Sequence, residues 1–103
     1  MKYRIQRTDK ANDHLYSLIQ YIANDSGDVD LALDYLGRLE EIIVRLADFP
    51  YSGTVPRYSI LKKQGYRVLI VEKQLVFYKV NDEAKMVTIN AVVDGRMEYR
   101  NLI

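Results

Sequence analysis

Alternation of apolar and polar residues at the N-terminus marks the first predicted element. Tyr3 and Ile5 alternate with Lys2, Arg4 and Gln6. A period of two is typical of a short strand with one buried face. The sequence therefore predicts a strand here, and the period changes immediately after it.

Two successive segments then carry apolar residues at spacings of three and four, which predicts two amphipathic helices. The apolar stripes cover residues 11–23 and 32–46. Thr8 or Asp9 can supply the N-cap oxygen of the first helix, and Gly27 can adopt the left-handed C-cap conformation. Because the connection is so short, the two helices are expected to pack antiparallel as a helical hairpin.

The second half of the chain predicts a loop followed by three strands. Proline and glycine interrupt residues 50–64, and no regular period is visible there. Residues 65–72, 74–80 and 87–93 are rich in β-branched and aromatic residues, as strands are. The order β-α-α-β-β-β predicts one α+β domain over residues 1–103, with the helical hairpin on an antiparallel four-stranded sheet. The tail from residue 96 onwards is expected to form one helical turn.

Composition excludes several kinds of chemistry. The chain has no cysteine, which rules out disulfides and thiolate chemistry. It shows no glycine-rich phosphate loop and no paired-histidine spacing, so we expect neither a cofactor nor a metal. Its lone histidine, His14, is interpreted as a surface residue. Apolar runs are too short to span a bilayer, and the N-terminus does not resemble a signal peptide, which predicts a cytoplasmic protein without membrane contact.

Charge is distributed unevenly along the chain. Residues 1–51 carry six basic and nine acidic side chains, whereas residues 52–103 carry nine basic and five acidic ones. The net charges are therefore −3 and +4. A basic second half can contact an anionic surface, although two differently solvated faces of one domain would give the same asymmetry. The candidate residues for such contacts are Arg57, Lys62, Lys63 and Arg100.

Three further residues of this half are candidates for chemistry. If the strand regions of Arg67 and Arg96 lie close together, both guanidinium groups can converge on one phosphate, while Tyr99 stacks on a base or donates a proton. The alternative is that Arg67 pairs with a carboxylate such as Glu72 or Asp94, and that Tyr99 fixes the tail to the core.

Motifs along nearly the whole chain resemble the RelE/ParE superfamily of toxins. The hairpin with Tyr21-Ile22-Ala23, Ala32, Leu46 and Phe49-Pro50 is similar to ParE-type members. The C-terminal half is similar to both groups in Gly65-Tyr66-Arg67-Val68-Leu69, Leu75-Val76-Phe77-Tyr78-Lys79-Val80, Val92-Val93-Asp94-Gly95-Arg96 and Glu98-Tyr99-Arg100. The resemblance implies the toxin of a type II toxin–antitoxin system, which arrests growth and is neutralised by a cognate antitoxin.

The resemblance leaves two mechanisms open. ParE-type toxins inhibit DNA gyrase, and the hairpin favours this group. RelE-type toxins cleave mRNA on the ribosome, and Arg67 and Arg96 match arginines of those endoribonucleases. However, RelE has two alternating lysines where Tyr58 and Ile60 stand here, and the nearest substitutes, Lys62 and Lys63, are adjacent in sequence. The ParE-like mechanism is therefore favoured, with a RelE-like nuclease using Arg67, Arg96 and Tyr99 as the alternative.

Overall fold

The computed structural model describes residues 2–103. Its helices and strands are, in chain order, β1 (Arg4–Arg7), α1 (Asp9–Ser26), α2 (Val29–Val44), α3 (Ser59–Lys63), β2 (Arg67–Val71), β3 (Gln74–Asn81) and β4 (Met86–Asp94), with single 3-10 turns at Arg45–Ala47 and Arg100–Leu102. The predicted order β-α-α-β-β-β is confirmed, and so is the helical turn in the tail. One short helix, α3, is added to it.

The four strands form one sheet in the order β1-β4-β3-β2. Strands β2, β3 and β4 are antiparallel, but β1 lies parallel to β4, with Arg4 opposite Met86 and Arg7 opposite Ile89. The α+β fold is confirmed, and the expectation of a wholly antiparallel sheet is corrected to a mixed one. A long crossover connection can return the chain in the parallel direction, and the helical hairpin forms part of that connection.

Local signals position the hairpin as the sequence predicts. The side chain of Thr8 accepts a hydrogen bond from the backbone N–H of Ala11 at 3.1 Å, which caps α1. Gly27 ends α1 with a φ of 70°, where a Cβ would strain the backbone. The next residue, Asp28, caps α2 by accepting from the N–H of Leu31 at 3.1 Å. The two caps leave room for only a tight connection between the helices.

Each face of the sheet carries its own layer. The hairpin covers one face, where Leu15 and Leu39 pack in the same cluster as Ile89. The other face is covered by α3 and the C-terminal tail (residues 96–103), with Leu61 packed close to Phe77. The loop predicted over residues 50–64 is therefore wrong for residues 59–63, because a five-residue helix is too short to show a repeating period. Within residues 2–103, no helix is both long and apolar enough to cross a membrane.

Candidate functional site

Arg67 lies at the start of β2 and holds the preceding loop in place. Its Nη2 donates hydrogen bonds to the backbone carbonyls of Gly53 at 2.6 Å and Tyr51 at 3.0 Å. The guanidinium also lies 5.2 Å from the centre of the Tyr51 ring. In the alternative interpretation Arg67 pairs with a carboxylate, and the structure corrects this, since its partners are carbonyl groups. Its Nε is buried and has no partner.

The loop that Arg67 holds is packed tightly against β3. The hydroxyl of the buried Tyr78 accepts a hydrogen bond from the N–H of Gly53 at 3.0 Å. A Cβ added to Gly53 would come within 2.5 Å of that hydroxyl and 2.7 Å of the carbonyl oxygen of Val68. Arg67, Gly53 and Tyr78 therefore form one interlocked unit, in which the arginine is a structural bracket.

Arg96 lies beyond the far end of β4 and pairs with a carboxylate. Its Nε and Nη2 donate to the two oxygens of Asp94 at 3.0 and 2.6 Å. This pairing and the backbone N–H of Arg96 lower the pKa of Asp94 to about 2. The Arg96 side chain is still 65% exposed, so one side of the guanidinium faces solvent.

The sheet register separates Arg67 from Arg96. Arg67 is opposite Tyr78, which is opposite Ile89 in β4, whereas Arg96 comes after Asp94 at the other end of that strand. At about 3.3 Å per residue, the two backbone positions are roughly 16 Å or more apart along the strand. The structure does not bring the two arginines together, so the condition for a shared phosphate site is not met.

Tyr99 is buried under the tail and is only 5% exposed. Its ring lies 5.3 Å from the ring of Tyr58 and 5.4 Å from that of Phe77. This position corresponds to the alternative interpretation, in which Tyr99 fixes the tail against the core. It is enclosed by aromatic side chains and lies near neither a guanidinium partner of its own nor the Arg67 bracket.

The remaining basic candidates lie on the layer formed by α3 and the tail. Arg57 and Arg100 approach the Tyr58 ring at 5.5 and 4.7 Å from its centre. Lys62 and Lys63 occupy the last turn of α3, and all four cations are exposed. Of these, Arg100 also pairs with a carboxylate, that of Glu98, at 3.1 Å.

A groove of about 960 Å³ opens on another side of the molecule, between α1, the β2–β3 turn, the end of β4 and the tail. Apolar side chains that reach solvent form much of its wall: Tyr21 is 65% exposed and Met97 60%. Arg96 and Asp25 place charges at the same groove. It combines apolar surface with a few polar groups, as binding sites commonly do.

His14 lies in this groove and was not recognised from the sequence as a site residue. Its Nδ1 accepts a hydrogen bond at 3.1 Å from the backbone N–H of Val92. The expectation of a plain surface residue is thus corrected, because the ring is half-buried and bonded to β4. Burial lowers the pKa of His14, Lys10 lowers it further and Asp13 opposes them. The pairing requires an unprotonated Nδ1, so the neutral imidazole is favoured.

The outer edge of β4 is open along the groove. Strand β1 ends at Arg7, and Thr8 makes the last contacts of that segment, donating to the carbonyls of Ile89 at 3.0 Å and Asn90 at 3.2 Å. Beyond this point, His14 meets the N–H of Val92. Successive residues of a strand direct their backbone groups to opposite edges. The backbone of Val92 and of Asp94 therefore faces the groove.

A second polar cluster also escaped the sequence analysis. Asp82, in the β3–β4 turn, accepts hydrogen bonds from the hydroxyls of Tyr3 at 2.6 Å and Tyr51 at 2.5 Å. The bond to Asp82 is the main cause that raises the pKa of Tyr3 to about 12. The cluster ties β1, the loop after α2 and the sheet together. Within residues 2–103, no three His, Cys, Asp or Glu side chains are grouped as potential metal ligands.

Comparisons with known proteins agree with this architecture. The family described as the ParE toxin of type II toxin–antitoxin systems, parDE, matches residues 5–99. The toxin–antitoxin complex RelBE2 from Mycobacterium tuberculosis is 20% identical with a TM-score of 0.66, over 91% of this chain and 99% of that one. The chromosomal ParDE system from P. aeruginosa is 18% identical with a TM-score of 0.74, over 90% of this chain and 96% of that one. At such identities the two structures support the fold alone. No protein among those with curated functions matches the chain.

Proposed function

Because the chain belongs to the ParE toxin family of type II toxin–antitoxin systems, we propose that it arrests growth by binding and inhibiting DNA gyrase in the cytoplasm. A cognate antitoxin neutralises it. In this function the toxin acts as a protein ligand of its target. It needs no catalytic residues of its own.

The observation that carries this proposal is the dispersal of the three residues that a nuclease would use. Arg67 is held by two backbone carbonyls, Arg96 is paired with Asp94 at the other end of the sheet, and Tyr99 is buried. General acid–base catalysis requires groups within hydrogen-bond reach of one reacting atom. This arrangement favours inhibition by binding over cleavage of RNA.

The groove offers the antitoxin a binding site. Tyr21 and Met97 present apolar surface, and the backbone of Val92 and Asp94 offers hydrogen bonds along the open edge of β4. A segment that becomes ordered on binding can bury its apolar side chains on such a wall. An acidic side chain of the same segment would find the exposed guanidinium of Arg96 there.

Matched substitutions on α1 test the groove. Tyr21 and Tyr16 are exposed to the same degree, 65% and 66%, but only Tyr21 lines the groove. We expect Tyr21→Glu to weaken antitoxin binding about thirtyfold, the cost of losing an aromatic anchor of about 2 kcal/mol. Tyr16→Glu should bind as the unaltered protein does. Equal affinities for all three proteins, measured by calorimetry with the cognate antitoxin, would place the antitoxin elsewhere.

Induction in cells tests the target. If gyrase is inhibited, incorporation of labelled thymidine falls before incorporation of labelled methionine, and co-expression of the antitoxin restores both. The alternative is a RelE-like endoribonuclease acting on ribosome-bound mRNA, which the exposed cations Arg57, Lys62, Lys63 and Arg100 and the solvent-facing side of Arg96 favour. That function predicts the opposite order, with protein synthesis stopping first.

A further inference from the structure

Charge in this protein is segregated between the two layers that cover the sheet. The hairpin segment, residues 9–48, carries nine acidic and three basic side chains. The next segment, residues 49–71, carries four basic side chains and no carboxylate. A net charge of +1 for the whole chain therefore conceals one acidic layer and one basic layer, and the basic layer is the one built from α3 and the tail.

Aromatic packing organises the cations of the basic layer. Four rings are in contact in series: Tyr66 with Phe77 at 6.3 Å, Phe77 with Tyr99 at 5.4 Å, and Tyr99 with Tyr58 at 5.3 Å. A cation lies over each end of this row. Lys79 is 4.5 Å from the centre of the Tyr66 ring, while Arg57 and Arg100 flank Tyr58. The row therefore spaces these cations along the layer.

The resulting cationic face consists of Arg57, Lys62, Lys63, Lys79 and Arg100. All five side chains are exposed, and only Arg100 has a carboxylate partner. Arg67 does not contribute, because it faces the hairpin side and binds backbone carbonyls. We propose that this cationic face binds the phosphodiester backbone of a nucleic-acid strand without reading its sequence.

The shape and chemistry of the face favour a linear polyanion of fixed charge. Each nucleotide presents one phosphate whatever its base, so cations placed in a row can be satisfied by any strand. Arginine binds phosphate oxygens with its planar fork, and lysine acts as a mobile point charge. The faces of Tyr58 and Tyr66 are already covered by cations, which leaves them unavailable for stacking on bases. Binding through phosphates alone predicts no sequence preference. Inhibition of gyrase by protein contact does not require this property, so it is a second one.

Two matched triple variants test the proposal. The face variant combines Arg57→Gln, Lys62→Gln and Lys63→Gln. The hairpin variant combines Lys10→Gln, Arg38→Gln and Arg45→Gln, which removes the same charge from three exposed cations on the acidic layer. Arg38 lies 5.5 Å from the centre of the Tyr35 ring, so this control also includes one cation–aromatic contact. Thermal midpoints show whether both variants fold.

Fluorescence anisotropy with labelled strands of about 20 nucleotides gives the readout, using duplex DNA, single-stranded DNA and single-stranded RNA of two unrelated sequences. Each lost phosphate contact should reduce the slope of log K against log salt by about 0.7 for single strands and about 0.9 for duplex. We therefore expect the face variant to lose about 2 from the slope and at least tenfold in affinity at about 50 mM salt. The hairpin variant should bind as the unaltered protein does. Comparison of the three strands then shows which nucleic acid is preferred.

Three results would overturn the proposal. The first is no binding by the unaltered protein at about 50 mM salt, where non-specific phosphate contacts are strong. The second is an equal loss in both variants, which would reduce the effect to net charge. The third is displacement of the strand by polyglutamate at equal charge concentration, which would identify the ligand as an acidic polypeptide. Supercoiling by gyrase is read independently of all three.

Discussion

Replacing Arg67 by methionine removes every hydrogen bond that holds the loop at Tyr51 and Gly53 while retaining most of the aliphatic stem. A hydrogen bond from a charged donor contributes about 1.5–3 kcal/mol, and the part-buried bond to Gly53 is of this kind. The bond to Tyr51 is exposed and adds little, and the ring contact adds about 0.5–1 kcal/mol. Relief of the buried, unpartnered Nε offsets part of the loss. The net destabilisation is about 2 kcal/mol.

Thermal and urea unfolding measure this value. A loss of about 2 kcal/mol should lower Tm by roughly 8–16 °C in a domain of this size. Arg57→Met is the matched control, since Arg57 is exposed and contacts only the Tyr58 ring, and its change should stay within about 0.5 kcal/mol. Unfolding of Arg67→Met at the same temperature as the unaltered protein, together with loss of RNA cleavage, would refute the bracket and make Arg67 a nuclease residue.

Further predictions concern the packing under the loop and the groove histidine. Gly53→Ala should destabilise the fold by about 1–3 kcal/mol, because the new methyl group collides with the Tyr78 hydroxyl, whereas Gly37→Ala in the exposed part of α2 should stabilise it by about 0.5–1 kcal/mol; thermal unfolding compares the two. Tyr78→Phe leaves the N–H of Gly53 unpaired and should cost about 1–3 kcal/mol in urea unfolding. Stability should fall as the pH decreases from about 7.5 to 5.5, and His14→Gln should flatten that dependence.

The pH dependence has a definite sign. The pKa of His14 is lowered in the folded state, so the unfolded chain takes up a proton near pH 6.5 that the folded protein resists. The resulting loss of stability begins as the pH falls through that value. Asp82 and Asp94 act in a separate window below about pH 4, since the pKa of each carboxyl is lowered. A steeper pH dependence in His14→Gln than in the unaltered protein would contradict the pairing with Val92.

Much of the fold follows from signals within a few residues of each other. The cap at Thr8, the left-handed Gly27 and the apolar stripes of both helices are local, and the structure has all of them. The direction of β1 was not predictable, because a period of two is the same for parallel and antiparallel strands. Helix α3 was missed because five residues with one buried position, Leu61, carry no visible period.

The candidate site depends on contacts between distant segments. Arg67 finds its carbonyl partners because Thr54 pairs with Val68 and brings the loop alongside β2. His14 meets Val92 only after the hairpin has packed on the sheet, at a separation of 78 residues. Charge patterning did identify the basic second half, but the distance between Arg67 and Arg96 depends on the sheet register, which composition does not specify.

Inhibition of purified DNA gyrase tests the central proposal most directly. Relaxed plasmid, gyrase and ATP are incubated with increasing amounts of the toxin, and supercoiled product is measured with and without the cognate antitoxin. The account predicts that supercoiling ceases as the toxin saturates gyrase and that the antitoxin restores it. Full supercoiling at saturating concentrations of folded toxin that still arrests growth in cells would contradict it.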